Sequence, residues 1–153
     1  MRNESITVKG EVRIELRDCN GNLKQSHTNH NLVVTIGKTY LAAWLAAASQ
    51  AGPFMSFIAL GTNGTAPSAG QTALIAESVV GGYARVAGTI TSASNVWQNK
   101  AVFGPTVGTD TIQEVGLFSA ITSGTMFARQ AGFAPIIKLA ADTLTVTWSV
   151  TFS

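Results

Sequence analysis

Charged side chains are scarce in this chain of 153 residues. Asp, Glu, Lys and Arg together make up 12% of it, about half of the ~25% that is usual for globular domains. Basic residues outnumber acidic residues by only ten to eight, and no cluster of Lys and Arg occurs. Nucleic-acid binding requires a concentrated basic surface that contacts phosphates. We therefore expect no nucleic-acid partner.

Cysteine and long apolar runs are also nearly absent. Cys19 is the single cysteine, which excludes an intrachain disulfide. The longest uninterrupted apolar run, residues 41–48, has eight residues, whereas a membrane span needs ~20. The first five residues contain no apolar segment of the kind found in a secretory signal. We therefore expect a chain that is made in the cytoplasm without a signal peptide and has no membrane partner.

Motifs for cofactor binding are incomplete. The tripeptide Gly37–Thr39 matches the end of a phosphate-binding loop, but Leu32 occupies the position of that motif's first glycine. His27 and His30 have a spacing that suits a metal ion, yet a tetrahedral site needs three or four ligands and no third one is evident. We expect a helix start at the first motif, a polar loop at the second, and neither a cofactor nor a metal ion.

Candidate catalytic residues are equally few. The first 30 positions hold nine of the eighteen charged residues, and strand alternation explains most of these. No Gly-x-Ser-x-Gly nucleophile motif occurs, and only two histidines are present to act as a base. Glu77 and Glu114 remain as an acid–base pair, although a hydrogen-bonding role beside a turn explains each of them. We therefore expect no catalytic residues, and a protein that is not an enzyme.

Threonine, serine and glycine supply the polarity that charged residues do not. The chain has 18 Thr, 12 Ser and 15 Gly, while 46% of its residues are hydrophobic. The apolar share excludes a disordered chain, and the shortage of Lys, Glu and Arg excludes a helical bundle. The composition is typical of a β protein whose outward faces carry hydroxyl groups, a surface that suits contact with other proteins.

Two segments alternate strictly between apolar and polar residues, as a strand with one buried face does. Near the amino terminus the apolar set is Val8, Gly10, Val12, Ile14 and Leu16, and the polar set is Lys9, Glu11, Arg13, Glu15 and Arg17. The dipeptide 20–21, Asn-Gly, predicts a tight turn into a returning strand within residues 23–36. Near the carboxyl terminus, residues 144–152 alternate in the same way around Trp148.

One amphipathic, alanine-rich helix is predicted after Gly37. The residues that share its apolar face are Tyr40, Leu41, Trp44, Leu45 and Ala48. The Gly-Pro dipeptide at 52–53 is expected to end it. A second, weaker helix is predicted over residues 68–77.

The remaining segments predict short strands separated by turn residues. They cover residues 54–60, 83–92, 95–103, 112–120 and 126–131. Roughly seven or eight strands in all, spaced by ~8–12 residues, predict a sandwich or a barrel. We expect one domain over residues 1–153, a mainly β protein formed by a single antiparallel β-sandwich, jelly-roll-like, with one Ala-rich amphipathic helix.

Six segments from Asn31 onward form a recognisable series. They are Asn31–Gly37, Ile58–Pro67, Thr72–Leu74 with Glu77, Ile112–Phe118, Gly124–Arg129, and a last one with Phe133, Pro135, Ile136, Lys138 and Asp142–Trp148. In this series the sequence resembles a family of small virion structural proteins of tailed bacteriophages. The resemblance covers about four-fifths of the chain. Members are often described as tail fibre proteins, and some are similar to capsid cement proteins.

The resemblance implies a non-enzymatic structural component of a bacteriophage particle, located in the virion after synthesis in the host cytoplasm. The first expectation is a capsid cement or decoration protein, which stabilises the shell by contacts with the major capsid protein or another virion protein. A tail, baseplate or fibre-attachment component is the alternative. A carbohydrate- or receptor-binding module is a further one, with Trp97 and Tyr83 as its aromatic candidates.

The matched motifs imply scaffold residues rather than a reaction centre. These are Trp44, Gly61, Gly64, Glu114, Arg129 and Trp148. The two glycines are expected to permit a positive φ in a tight turn. Glu114 is expected to accept backbone N–H groups at a bulge, and Arg129 is expected to pair with either Glu114 or Glu77.

The charged amino-terminal hairpin, residues 1–30, is the expected attachment element. Its candidate assembly contacts are Val8, Lys9, Glu11, Arg13, Glu15 and Arg17. We expect this strand to have a free edge that pairs with a capsid strand, and we expect the sandwich to fold without residues 1–17. The threonine face of residues 144–152 is the alternative attachment surface. A closed homo-oligomer is expected, with a trimer favoured because capsids offer threefold positions.

Overall fold

Two antiparallel sheets packed against each other form the protein in a computed structural model, which describes residues 7–47, 49, 54–79 and 81–153. The elements in chain order are β1 (Val8–Arg17), β2 (Leu23–His30), β3 (Leu32–Val33), α1 (Thr35–Ala46), β4 (Phe57–Gly61), β5 (Val86–Ala87), β6 (Thr89–Ala93), β7 (Val96–Phe103), β8 (Asp110–Phe118), β9 (Met126–Lys138) and β10 (Thr143–Phe152). The prediction of a mainly β, antiparallel sandwich with one helix is confirmed.

Each sheet has five strands. The strand order is β2-β1-β10-β7-β6 in sheet A and β3-β9-β8-β4-β5 in sheet B. The chain passes from sheet B to sheet A at Gly88, between β5 and β6, so that the segment predicted as one strand over residues 83–92 is two short edge strands. A Cβ at Gly88 would lie 1.6 Å from Oδ1 of Asn99, so the crossing requires glycine.

The core lies between the inner faces of the two sheets. In β1 and β10 the apolar residues of the alternating pattern are the buried ones. Val12, Ile14 and Leu16 of β1 face inward, and so does every second residue of β10 from Leu144 to Val150. Trp148 is fully buried, in agreement with its expected role in the scaffold. Burial of each large apolar side chain stabilises the fold by roughly 1.5–3 kcal/mol.

Helix α1 packs on the sandwich through three of the five side chains on its predicted apolar face. Tyr40, Leu41 and Trp44 lie against the core, whereas Leu45 is 66% exposed and its predicted packing is wrong. The helix approaches β9 closely because Gly37, its buried residue, lies directly on the backbone of Phe127. Ala48 and the dipeptide at 52–53, predicted to continue and end the helix, lie outside the described residues.

The predicted second helix over residues 68–77 is wrong. This segment contains turns and a single bridge between Glu77 and Gly61. Its amides at Ile75 and Ala76 donate to the Glu114 carboxylate at 3.1 and 2.7 Å. Because a carboxylate on another strand takes these donors, they do not form helical bonds, and a local turn joins Ser68 and Gln71.

Candidate attachment surface

The outer face of sheet A brings together the two attachment surfaces that the sequence offered as alternatives. β1 pairs with β10 along its whole length, and Arg13 lies opposite Thr147 in that pairing. Glu11 likewise lies opposite Ser149, and Glu15 opposite Thr145. The charged strand and the threonine strand are therefore adjacent rows of one surface.

Rows of hydroxyl and charged side chains cross this face from one edge to the other. One row consists of Thr28, Arg13, Thr147, Lys100 and Thr89. The next row consists of His30, Glu11, Ser149, Gln98 and Thr91. We name this surface, with Lys9, Glu15, Arg17, Thr145 and Thr151, the hydroxyl-charge face. Threonine and serine offer both donors and acceptors, so the face can bond to a partner's backbone or polar side chains.

The ionic contacts on this face are weak and open to exchange. Glu15 accepts from Arg13 at 2.9 Å and lies 3.5 Å from Arg17, and both arginines are about half exposed. Exposed pairs of this kind contribute ~0–1 kcal/mol to stability. Within the described residues, Lys9 and Glu11 have no ion pair. These side chains can change partner on binding at little cost to the fold.

The predicted free edge of β1 is wrong. β1 lies inside sheet A between β2 and β10, so from Glu11 to Arg17 its backbone is already paired on both sides. Strand addition requires an unpaired edge, and β1 offers its face only. Val8, among the candidate assembly contacts, points to the inner side and packs against the core cluster. The other five point outward.

A buried ion pair fixes the loop that follows β4. Arg129 Nε donates to Glu114 Oε2 at 2.7 Å, and neither side chain is exposed. The other guanidinium nitrogens donate to carbonyl oxygens of Asn63 and Thr65 and to the Gln71 side chain. Of the two candidate partners for Arg129, the structure selects Glu114, at the register shift of β8.

Glu77 pairs with Arg85 instead. The two side chains make a double contact, Nε to Oε1 at 2.7 Å and Nη2 to Oε2 at 2.9 Å. The Arg85 guanidinium also stacks on the Phe118 ring, 3.6 Å from its centre. Both carboxylates of the candidate acid–base pair, Glu77 and Glu114, are thus engaged in bonds that fix loops. Reasoning from the sequence missed Arg85 because its partner is eight positions away across an irregular segment.

The scaffold glycines act through close approach rather than through backbone conformation. Gly61 and Gly64 have no positive φ, which corrects the reason predicted for them. A Cβ at Gly61 would lie 2.5 Å from the Ala76 carbonyl oxygen and 2.6 Å from Glu114 Oε1. At Gly64 it would lie 2.9 Å from the Gln113 side chain. The remaining scaffold residue, Trp44, packs on Phe54 with ring centres 5.4 Å apart.

Buried ionisable groups also hold the loop before β8. Lys138 donates to the carbonyl oxygens of Val107 and Leu139 at 2.9 and 3.2 Å, and Tyr83 donates to that of Gly108 at 2.8 Å. Burial lowers the pKa of Lys138, against the opposing effect of the Asp142 carboxylate. Burial, with a smaller effect of Asp110, raises the pKa of Tyr83 to about 12.

Asp142 links this loop to the amino-terminal hairpin. Its carboxylate accepts from Lys24 at 2.6 Å and from the Leu139 amide at 3.1 Å. The Lys24 hydrogen bond is the main cause that holds the pKa of Asp142 below its usual value. The contact joins β2 to the turn before β10, so it connects residues 118 positions apart.

The residues weighed for ligand chemistry are dispersed. Tyr83 is 2% exposed and Trp97 packs edge-on against Phe54 at 5.9 Å, so neither aromatic candidate for sugar stacking stands free on the surface. His27 lies inward beside Phe133, whereas His30 faces outward. Over the described residues, no group of three or more His, Cys, Asp or Glu side chains is arranged to hold a metal ion.

The chain matches no protein-family profile, no curated protein and no solved structure. None of the helices in the described part is long and apolar enough to cross a membrane.

Proposed function

We propose that this protein is a non-enzymatic structural component of a tailed-bacteriophage particle, a capsid cement or decoration protein that binds the shell through the hydroxyl-charge face. The observation that carries the proposal is the pairing of β1 with β10, which makes one continuous surface of threonine, serine and dispersed charge. Its partner is the major capsid protein or another virion protein, as the family resemblance of the sequence implies.

The chemistry of this face supports protein contact. Its net charge is small, with Lys9, Arg13, Arg17 and Lys100 against Glu11 and Glu15. Dispersed charges of both signs set orientation and exclude wrong partners more than they add affinity. Hydroxyl groups keep such a face soluble before assembly and form hydrogen bonds afterwards.

The buried polar groups support a role without catalysis. Glu114, Arg129, Lys138 and Asp142 each bond to loops of the sandwich. Their hydrogen bonds engage backbone atoms, one another, and the side chains of Gln71 and Lys24, which is the pattern of groups that fix loop geometry. A rigid sandwich that presents one broad face is suited to joining capsid subunits. Assembly into a closed homo-oligomer is part of the proposal.

Charge reversal at Arg13 tests the attachment surface. Arg13→Glu changes an exposed side chain in the middle of the face, and Thr122→Glu introduces the same residue at an exposed position in the turn between β8 and β9 of sheet B. We expect Arg13→Glu to weaken binding to particles stripped of the protein by about tenfold or more, and Thr122→Glu to bind as the unchanged chain does. Equal binding of all three proteins would reject the hydroxyl-charge face as the attachment surface.

A further inference from the structure

Sheet A ends on one side in β6, an edge strand that the described part of the chain leaves without a second partner strand. β6, Thr89–Ala93, pairs with β7 only, and the described residues provide no other hydrogen bond to its backbone. Soluble proteins block such edges with charged side chains, proline or a bulge. β6 has none of these: its sequence is Thr-Ile-Thr-Ser-Ala, and its register with β7 is continuous.

The other edges are short or tied down. β3 and β5 have two residues each. β2 has eight residues, but the Gln25 side chain on this strand donates to the Pro135 carbonyl oxygen of sheet B. The strand also carries the charged side chain of Lys24. A head-to-tail ring would have to join β6 to β2, the edge that carries Lys24 and is tied to sheet B through Gln25. β6 is left as a surface for pairing with its own copy.

We infer that β6 is a self-association strand, which pairs antiparallel with β6 of a second copy about a twofold axis at Thr91. Full overlap of the five residues places Thr91 opposite its own copy and Thr89 opposite Ala93. A twofold contact of this type closes on itself, so a free edge is consumed without growth of a fibre. The two copies of sheet A then form one ten-stranded sheet.

The side chains of β6 suit this arrangement. No charge lies on the strand, so like charges do not face each other, and a Thr–Thr pair forms at the axis. Lys100, opposite Thr89 on β7, would share its row with Ala93 and Val96 of the second copy and would not approach the second Lys100. The pairing therefore carries no electrostatic penalty.

An apolar cavity beside the edge adds area to a short strand contact. It has a volume of about 340 Å³ and is lined by Leu41 and Leu45 of α1 together with Ile90 and Trp97 on the inner face of sheet A. Ile90 of the second copy would continue the inner row of Ser92 and Trp97. Burial of these half-exposed groups favours the pair by the hydrophobic effect. A twofold pair replaces the trimer that the sequence alone favoured.

Charge substitution at the axis tests the inference in solution, independently of any particle. We expect the unchanged chain to show twice its mass of 16.0 kDa by light scattering at micromolar concentration. Thr91→Lys and Thr91→Glu each place like charges opposite each other, which should weaken the pair by about tenfold or more. An equimolar mixture of the two variants should restore it, because unlike charges then face each other.

Controls separate this outcome from loss of the fold. Ser26→Lys adds the same charge to the opposite edge of the same sheet, opposite Glu15, and should leave the pair intact. With Cys19→Ser as background, Thr91→Cys should form an interchain disulfide and Thr89→Cys should not. A monomeric unchanged chain, an intact Thr91→Lys pair, or equal cross-linking at both positions would overturn the inference.

Discussion

Arg129 and Glu114 form a fully buried ion pair, with Nε 2.7 Å from Oε2, that holds the loop over residues 62–76 against sheet B. The carboxylate also accepts two amides of that loop, and the guanidinium reaches three further oxygen atoms. The pair therefore fastens to the sheet a segment that has little secondary structure of its own.

Removal of one partner of this pair should destabilise the protein strongly. Arg129→Met leaves Glu114 buried without its countercharge, and a loss of about 3–5 kcal/mol in the free energy of unfolding is expected. Arg13→Met, at an exposed pair, should cost no more than about 1 kcal/mol. Urea unfolding of both variants measures the difference. Similar losses for the two variants would contradict the importance of the buried pair.

Gly37 should tolerate no side chain. A Cβ there would lie 2.2 Å from the Phe127 carbonyl oxygen, and backbone cannot move aside as a flexible side chain does. We expect Gly37→Ala to lower the free energy of unfolding by about 1–3 kcal/mol, despite the better helix propensity of alanine. Gly70→Ala, at a position with nothing within 4 Å, is the control and should change stability little. Thermal unfolding compares the two.

Tyr83 should make the fold sensitive to alkali. Its pKa is about 12 in the folded protein against 10 when exposed. Between these values the unfolded chain releases the phenolic proton and the folded chain retains it, so stability falls as the pH rises through this window. Tyr83→Phe should remove this part of the slope. Urea unfolding across the window measures it, and identical slopes would show that Tyr83 titrates normally.

Asp142 should contribute to acid denaturation. Its folded pKa lies below the usual 3.8, mainly because of the Lys24 hydrogen bond. The folded state therefore binds fewer protons, and the stability from this contact is present above pH 3.8 and lost as the pH falls through the folded pKa. Lys24→Met should flatten the fall of stability at low pH, the acid limb of the curve of stability against pH. The control Arg13→Met should leave this limb as it is in the unchanged chain. A limb of equal steepness in both variants would contradict the assignment.

Residues 1–17 should be required for folding. Their deletion removes the inward side chains Val12, Ile14 and Leu16, each at most 2% exposed, and leaves β10 with an unpaired edge. We expect the truncated chain to lose cooperative unfolding, contrary to what the charge pattern alone indicated. A truncated protein with an unchanged circular dichroism spectrum and a sharp melting transition would show β1 to be dispensable.

Alternation with period two made β1 and β10 predictable, because each strand has one core face and one solvent face. Their adjacency was not predictable, since 125 residues separate Arg17 from Thr143 and the register between them is set by contacts distant in sequence. The predicted helix over residues 68–77 failed for a related reason. Glu114, on another strand, bonds to its amides, and a local pattern contains no sign of that.

The copy number in purified particles tests the central claim most directly. As a cement protein bound by the hydroxyl-charge face, the chain should be present in on the order of hundreds of copies distributed over the shell. Quantitative mass spectrometry with cryo-electron microscopy measures this number and the location together. The account predicts density on the shell with sheet A facing it. A count of about six to eighteen at one vertex, or contact through sheet B, would contradict it.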